Sequence, residues 1–162
     1  MPYQPVDGMP GRRDVDVRWQ AIAAHLPTVG IRSLDVGCAE GWFTAKLAQR
    51  GPAIGIDRAV RESRHVGYEL IKGRARARSL ARLGSFDVVL LLSILHHMRD
   101  ADDVLKWARH ATCFVELPHP DEEGVAAKAD LTGIRDILQA EATPLCETPG
   151  YDVRHRRTLW ML

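Results

Sequence analysis

The sequence predicts an α/β fold in which a mostly parallel β-sheet is covered by helices on both faces. An apolar run from Ile31 to Val36 is followed by a glycine turn, and then by a segment, Trp42 to Arg50, with helical spacing. A second apolar run, Phe86 to Leu92, is interrupted only by Asp87. Such a continuous run is typical of a strand that is buried on both faces of a parallel sheet.

Length and composition predict one globular domain. The chain has 162 residues, of which 46% are hydrophobic and 27% charged, so a hydrophobic core is available and disorder is disfavoured. Residues 1–13 are polar with three prolines, which predicts an irregular N-terminal arm and no secretory leader. The remainder, 14–162, is predicted to be a single domain.

Cysteine usage and hydropathy predict a cytoplasmic protein that does not insert into membranes. The three cysteines, Cys38, Cys113 and Cys146, lack the spacing of a metal site, so reduced thiols are expected. No apolar run approaches the roughly 20 residues that a membrane span needs.

The elements of the first half follow from capping residues, glycines and apolar runs. Asp14 can begin a helix that Pro27 and Gly30 end near Leu26, and Gly51 follows the helix after the glycine turn. Two further strands and a short helix or turn are predicted at Pro52–Asp57, Val66–Ile71 and Arg76–Leu83.

The second half continues the alternation of helices and strands. Asp100 is expected to cap a helix ending near His110, and the apolar run from Cys113 to Pro118 predicts the fifth strand. A helical region is predicted at 122–142 with a break at Gly133, followed by two short strands at 143–148 and 153–162.

The glycine turn and the strand after it predict a nucleoside ligand. Gly37 and Gly41 allow the backbone to approach a ligand closely, and the helix start after them presents unpaired N–H groups. Asp57 ends the second strand twenty positions after Gly37, where a carboxylate can accept hydrogen bonds from ribose hydroxyls.

The turn fits neither a dinucleotide fingerprint nor a P-loop, since it has Ala39 at its centre and no Gly-Lys-Ser/Thr sequence. It resembles motif I of the class I S-adenosylmethionine-dependent methyltransferases, acid-x-Gly-x-x-x-Gly, with Asp35, Gly37 and Gly41. The family often has a middle glycine, which Ala39 replaces. The segments 85–97 and 111–118 resemble the family's fourth and fifth strands, so the resemblance covers about Ile31 to Pro120.

The resemblance implies a Rossmann-like three-layer sandwich, with a mostly parallel seven-stranded sheet and an antiparallel C-terminal strand pair. It implies S-adenosylmethionine as the cofactor. The implied cofactor-binding residues are Asp35, Gly37, Cys38, Ala39, Glu40, Gly41, Trp42, Asp57, Arg58, Ala75 and Ser93. The acid that usually ends the third strand and holds the adenine amino group is absent, because Gly73-Arg74-Ala75 stands there. Arg12 and Arg13 of the arm either meet the cofactor's carboxylate or are solvated.

Two adjacent histidines after the fourth strand are the candidate catalytic residues. His96 and His97 follow the carboxyl end of that strand, and histidine titrates near neutral pH and can accept a proton from a hydroxyl. The alternative is a structural His–His turn. No metal is assigned, because His119 with Glu116 offers only a weak ligand pair.

The charge distribution leaves the acceptor open. Residues 58–82 hold eight arginines and lysines against two glutamates, and a second basic cluster lies at 154–157. These stretches either bind RNA or another nucleic acid, in an RNA methyltransferase or a binding module, or form a solvated surface. The signatures Asn/Asp-Pro-Pro-Tyr/Phe and Lys-Asp-Lys-Glu are absent, so a small-molecule or sugar acceptor with a hydroxyl group ranks first. An inactive cofactor-binding relic is a third reading, and nothing in the sequence indicates an oligomeric state.

Overall fold

A computed structural model describes residues 14–123, 129–150 and 154–162. Within these residues the strands form one eight-stranded sheet in the order β3-β4-β2-β1-β5-β6-β8-β7. The strands are β1 Ser33–Val36, β2 Ala53–Asp57, β3 Ser63–His65, β4 Tyr68–Lys72, β5 Val88–Leu92, β6 Thr112–Glu116, β7 Thr143–Pro149 and β8 Arg156–Met161.

Five α-helices and one 3₁₀ turn are present in the described part of the chain. They are α1 Val15–Ala23, α2 Trp42–Leu47, α3 Ala77–Ala81, the 3₁₀ turn Leu95–His97, α4 Ala101–Ala108 and α5 Thr132–Glu141. None of these helices is long and apolar enough to cross a lipid bilayer.

The centre of the sheet is parallel and its edges are antiparallel. Strands β4, β2, β1, β5 and β6 run in the same direction, whereas β3 pairs antiparallel with β4, β8 with β6 and β7 with β8. The carboxyl ends of the parallel strands therefore meet at one edge. The strand order reverses between β1 and β5, and open α/β sheets place their ligand sites outside such a point.

Alternating side chains of the central strands fill two cores, one on each face of the sheet. Val89 and Leu91 of β5 belong to the cluster that packs against α3, α4 and α5. Val88 and Leu90 of the same strand belong to the cluster that includes α1 and α2. This arrangement is why the strand is apolar along its whole length, and it confirms the predicted three-layer α/β class.

The sheet has one strand more than the seven expected. The additional strand β3 is polar, Ser63-Arg64-His65, and it forms a hairpin with β4 around Gly67, whose φ is 87°. Because the chain turns at Gly67, the strand expected to begin at Val66 begins at Tyr68 instead.

Two local predictions were wrong. Gly133 does not break a helix: it is the second residue of α5. Asp100 occupies the N-cap position of α4 but makes no side-chain hydrogen bond to that helix. Its Oδ2 instead accepts a hydrogen bond of 3.0 Å from the backbone N–H of Ala77, at the start of α3.

Candidate functional site

The backbone conformation of the glycine turn after β1 requires glycine at two of its positions. Gly37, Ala39 and Gly41 all have positive φ values, 78°, 48° and 85°. A Cβ at Gly37 would lie 2.7 Å from the side chain of Ile94, and one at Gly41 would lie 2.8 Å from Leu70. Only glycine fits at these two positions, so the turn is packed closely against its neighbours.

Asp57 at the end of β2 fixes the turn from the neighbouring strand. Its Oδ2 accepts a hydrogen bond of 3.1 Å from Ala39 N–H, and its Oδ1 accepts one of 2.8 Å from Ala59 N–H. Each carboxylate oxygen has two lone pairs, so each retains acceptor capacity for a ligand hydroxyl.

A cavity of about 750 Å³ lies at the carboxyl edge of the sheet, beside the turn. Its size is within the range of roughly 300–1,000 Å³ that is common for small-molecule sites. Its lining comes from the loops that follow β1, β2, β4 and β5: Gly37, Ile56, Asp57, Arg58, Ala59, Gly73, Arg74, Ala75, Arg76, Ile94, His97, Met98, Arg99 and Asp100.

A protein-family model for a methyltransferase domain matches residues 34–112, which include the turn, Asp57 and both histidines. The matched segment, just under half of the chain, is a methyltransferase domain of the S-adenosylmethionine-dependent class. The family and cofactor class predicted from the sequence are thereby confirmed.

Two curated relatives each match just over half of this chain, and their names state different reactions. One is a ubiquinone biosynthesis O-methyltransferase of Methylococcus capsulatus, 34% identical over 99 residues, with 55% of this chain and 42% of the relative covered. Another is a tRNA U34 carboxymethyltransferase of Ectopseudomonas mendocina, 31% identical over 101 residues, with 56% and 31% covered. This chain therefore spans less than half the length of either relative.

A solved structure shares the fold over most of this chain. Magnesium protoporphyrin IX methyltransferase from Synechocystis PCC 6803 with bound SAH aligns with a TM-score of 0.59 and 17% identity. The alignment covers 91% of this chain and 80% of that structure.

Some of the site residues predicted from the sequence line this cavity, and others do not. Five of the predicted residues line it: Gly37, Asp57, Arg58, Ala75 and His97. The remaining predicted residues are not among the lining: Asp35, Cys38, Ala39, Glu40, Gly41, Trp42, Ser93 and His96.

Asp35, the acid of motif I, lies behind the turn and supports it. It is 2% exposed, and its Oδ2 accepts a hydrogen bond of 2.8 Å from Thr44 Oγ1 in α2. Burial raises the pKa of this carboxyl from 3.8 to about 7, although the bond from Thr44 opposes the rise. Burial likewise raises the pKa of the neighbouring Cys38 thiol, so this cysteine is a poor nucleophile.

The two histidines have different environments. His97 is exposed and lines the cavity, whereas His96 is 3% exposed and its Nδ1 has no hydrogen-bond partner within the described residues. Burial, together with His97 and Arg157, lowers the pKa of His96 to about 3, so this ring is neutral near pH 7. The ring centroids lie 3.9 Å apart, which places His96 against the back of His97.

Four cavity residues with charged side chains are not among the site residues predicted from the sequence. Arg74, Arg76 and Arg99 are exposed on the rim, and Asp100 is half-buried. Arg74 and Arg76 belong to the basic stretch 58–82, and their position directly after β4 could have indicated that they lie at the cavity. The sequence did not indicate Asp100 as a cavity residue, because an aspartate directly before a helix ordinarily accepts hydrogen bonds from the backbone N–H groups at the start of that helix.

A network of buried charges lies beneath the loops that follow β5 and β6. Glu116 accepts hydrogen bonds from Ser93 Oγ and from Thr148 Oγ1, and lies 3.6 Å from Nη1 of Arg18. Arg157 donates to both carboxylate oxygens of Glu122, at 2.7 and 2.5 Å, and to Ser93 Oγ at 2.8 Å. The Ser93 hydroxyl and the Glu116 carboxylate are therefore both engaged in hydrogen bonds within this buried network.

The network corrects one part of the sequence interpretation. The sequence places Arg157 in a basic cluster that could bind nucleic acid, yet its side chain is 1% exposed and paired with Glu122. It cannot contact an external polyanion in this arrangement. Arg12 and Arg13, expected near the cofactor's carboxylate, lie outside the described residues.

Proposed function

We propose that this chain transfers a methyl group from S-adenosylmethionine to a hydroxyl group of a small-molecule or sugar acceptor. One observation carries the proposal: the motif I turn, the acid that ends β2 and an exposed histidine all meet at a single cavity. Because Asp57 and His97 line the same cavity, one bound molecule could contact both, which supports a ribose-binding role for the acid and a proton-accepting role for the histidine.

The residues present fit the cofactor. The turn has no room for a Cβ at Gly37, and Asp57 keeps acceptor capacity on both oxygens for the ribose hydroxyls. We assign the adenine amino group to Asp100. Its carboxylate does not cap α4, lines the same cavity, and with Asp57 is one of two acids among the described lining residues.

The bound cofactor supplies an electrophilic methyl carbon, and the chain supplies positioning and a proton acceptor. Holding an acceptor oxygen in line with that carbon contributes up to about 7–11 kcal/mol in favourable cases. His97 is the residue proposed to take the hydroxyl proton, because it is exposed in the cavity. His96, neutral and packed behind it, is proposed to set the orientation of its ring.

Cofactor titration tests the proposal. The wild-type chain should bind S-adenosylmethionine in calorimetry and should not bind NAD. Asp57→Ala should weaken binding by about 1–3 kcal/mol through loss of charged hydrogen bonds, and Asp57→Asn, which keeps one acceptor oxygen, by less. The matched control is Asp136→Asn, which removes an exposed carboxylate from α5. Binding of NAD alone, or unchanged affinity in Asp57→Ala, would contradict the assignment.

The role of Asp100 has a separate test. Replacing it by asparagine should weaken binding of S-adenosylhomocysteine, whose base carries a 6-amino donor. The same substitution should not weaken binding of the analogue with a 6-oxo group in that place, since an ionised carboxylate cannot accept from it. Equal losses for both ligands would remove Asp100 from base recognition and leave the proposed activity intact.

A nucleic-acid acceptor is the second candidate, and the arginines of the cavity favour it. Arg58, Arg74, Arg76 and Arg99 line the cavity and are exposed, so a polyanion could reach the cofactor site along a basic rim. One of the relatives is named as acting on tRNA.

A cofactor-binding domain without activity is the third candidate. It would be supported if the chain binds the cofactor but methylates none of a broad panel of acceptors.

The remaining expectations from the sequence stay predictions. They are a cytoplasmic location, an irregular arm at 1–13 before a single domain at 14–162, and a small molecule or RNA as the partner.

A further inference from the structure

Two imidazoles and a carboxylate meet beyond the end of β6, and none of them lines the cavity assigned to the cofactor. The metal-binding atoms of His119, Asp121 and His155 all lie within 4.8 Å of one another. The rings of His119 and His155 stack with centroids 4.6 Å apart and planes inclined by 23°. Nδ1 of His119 lies 3.8 Å from Oδ2 of Asp121.

We propose that these three residues bind one divalent first-row transition metal ion, Zn²⁺ foremost. Zinc bonds to nitrogen and carboxylate oxygen are about 2.0–2.2 Å long, so neighbouring ligand atoms lie roughly 3–4 Å apart. The distance between His119 and Asp121 is already in that range, and the widest pair needs to close by about 1 Å. The side chains have that freedom, since His119 is 40% and Asp121 81% exposed.

The donor set selects the metal. Two histidines and one carboxylate suit zinc and other transition ions, whereas magnesium and calcium prefer oxygen ligands throughout. Nδ1 of His119 accepts a hydrogen bond of 3.2 Å from Asp121 N–H, so its lone pair faces Asp121. A bound ion would take the place of that weak hydrogen bond. Three protein ligands leave one coordination position open for water or an oxygen of another molecule.

The backbone around the cluster is held in place by other contacts. Glu122 N–H donates to the carbonyl of His119 at 3.1 Å, and Gly150 N–H donates to the carbonyl of His155 at 2.9 Å. Two ion pairs join the segment after β6 to β8 and to the residues just before it: Glu122 pairs with Arg157 of β8, and Glu123 pairs with Arg154. The three ligands are therefore brought together by the fold before any ion binds, which lowers the entropic cost of binding.

A second cavity, of about 200 Å³, lies beside the cluster and is lined by His119, Glu122 and Arg135 among others. The open coordination position of an ion held by His119 is therefore close to space that a small oxygen ligand can enter. The inference rests on this cluster alone and is independent of methyl transfer.

The test uses the full chain freed of metal with a chelator that is then removed. Zn²⁺ should bind with a stoichiometry of one in competition with a chromophoric chelator, and Mg²⁺ should not displace it. Co²⁺ should give the visible ligand-field absorption of a four- or five-coordinate site. His119→Ala, Asp121→Asn and His155→Ala should each weaken Zn²⁺ binding by about tenfold or more, since even residues behind the ligands contribute about 10–100-fold.

His110→Ala is the matched control, because His110 is an exposed histidine near the C-terminal end of α4. It should bind Zn²⁺ with wild-type affinity. Cys146→Ser checks that the partly exposed thiol is not the ligand. Circular dichroism of the metal-free variants confirms that they are folded. Absence of Zn²⁺ binding by the wild type, or equal affinity in folded His119→Ala and His155→Ala variants, would overturn the proposal.

Discussion

Replacing Asp35 by asparagine should change how the stability of the domain depends on pH. The folded chain holds this carboxyl with a pKa of about 7, against 3.8 for the free group. Between those two values the folded state keeps a proton that the unfolded state has lost. Because the unfolded state then binds fewer protons, the free energy of unfolding falls as the pH rises through this window.

The size of the effect follows from the difference between the two pKa values. A separation of about three pH units corresponds to about 4 kcal/mol at roughly 1.4 kcal/mol per unit. Asparagine has nearly the same shape, keeps an oxygen that can accept from Thr44 Oγ1, and does not ionise. The free energy of unfolding of Asp35→Asn, relative to wild type, should therefore rise by about 4 kcal/mol between about pH 4 and about pH 8.

Urea denaturation followed by circular dichroism at several pH values measures this difference. Asp136→Asn reports what the loss of an exposed carboxylate does on its own. Thr44→Val removes the hydrogen bond that lowers the pKa of Asp35 in the folded state, so in this variant the decline in stability should extend to higher pH. A constant difference between Asp35→Asn and wild type across the pH range would refute the reasoning.

The remaining predictions concern the catalytic histidine, the buried ion pair and the basic rim. With an identified hydroxyl acceptor, His97→Ala should lower turnover by about 10²–10⁴-fold with little change in cofactor affinity, while His96→Ala should lower turnover less, through loss of the orienting ring contact, and should also lower the melting temperature. The reverse pattern would exchange their roles. Arg157→Met should lower the free energy of unfolding in urea by about 3–5 kcal/mol, because Glu122 loses a buried partner, and adding Glu122→Gln should restore part of it. If RNA is the acceptor, its affinity should fall steeply with salt and Arg74→Ala should reduce that slope, whereas absence of binding at low salt would leave the small-molecule reading ahead.

The parts of the structure that depend on local pattern could be predicted from the sequence. The turn at Gly37 to Gly41 and the acid Asp57 follow directly after apolar runs, so their places at the carboxyl edge could be inferred. Strand β3 could not, because Ser63-Arg64-His65 has no apolar alternation and becomes a strand only by pairing with β4.

Features that depend on pairing between distant segments were not predictable. Arg18 appears polar in any helical pattern, yet it is fully buried because Glu116 at the end of β6 lies beside it. The Asp100 side chain does not hydrogen-bond to α4, which it precedes, and instead accepts a hydrogen bond from the backbone N–H of Ala77 at the start of α3. The proposed metal site likewise combines His119 and His155, which the antiparallel pairing of β8 with β6 brings together.

The buried charges also limit the routes by which this sequence can evolve. Arg18 with Glu116, and Arg157 with Glu122, form pairs in which neither member can be lost alone without leaving an uncompensated charge in the interior. A lineage can discard such a pair only by replacing both members in close succession with apolar residues of similar volume. Homologous sequences should therefore show correlated replacement at these positions, and the hairpin of β7 and β8 should be inherited together with the segment that follows β6.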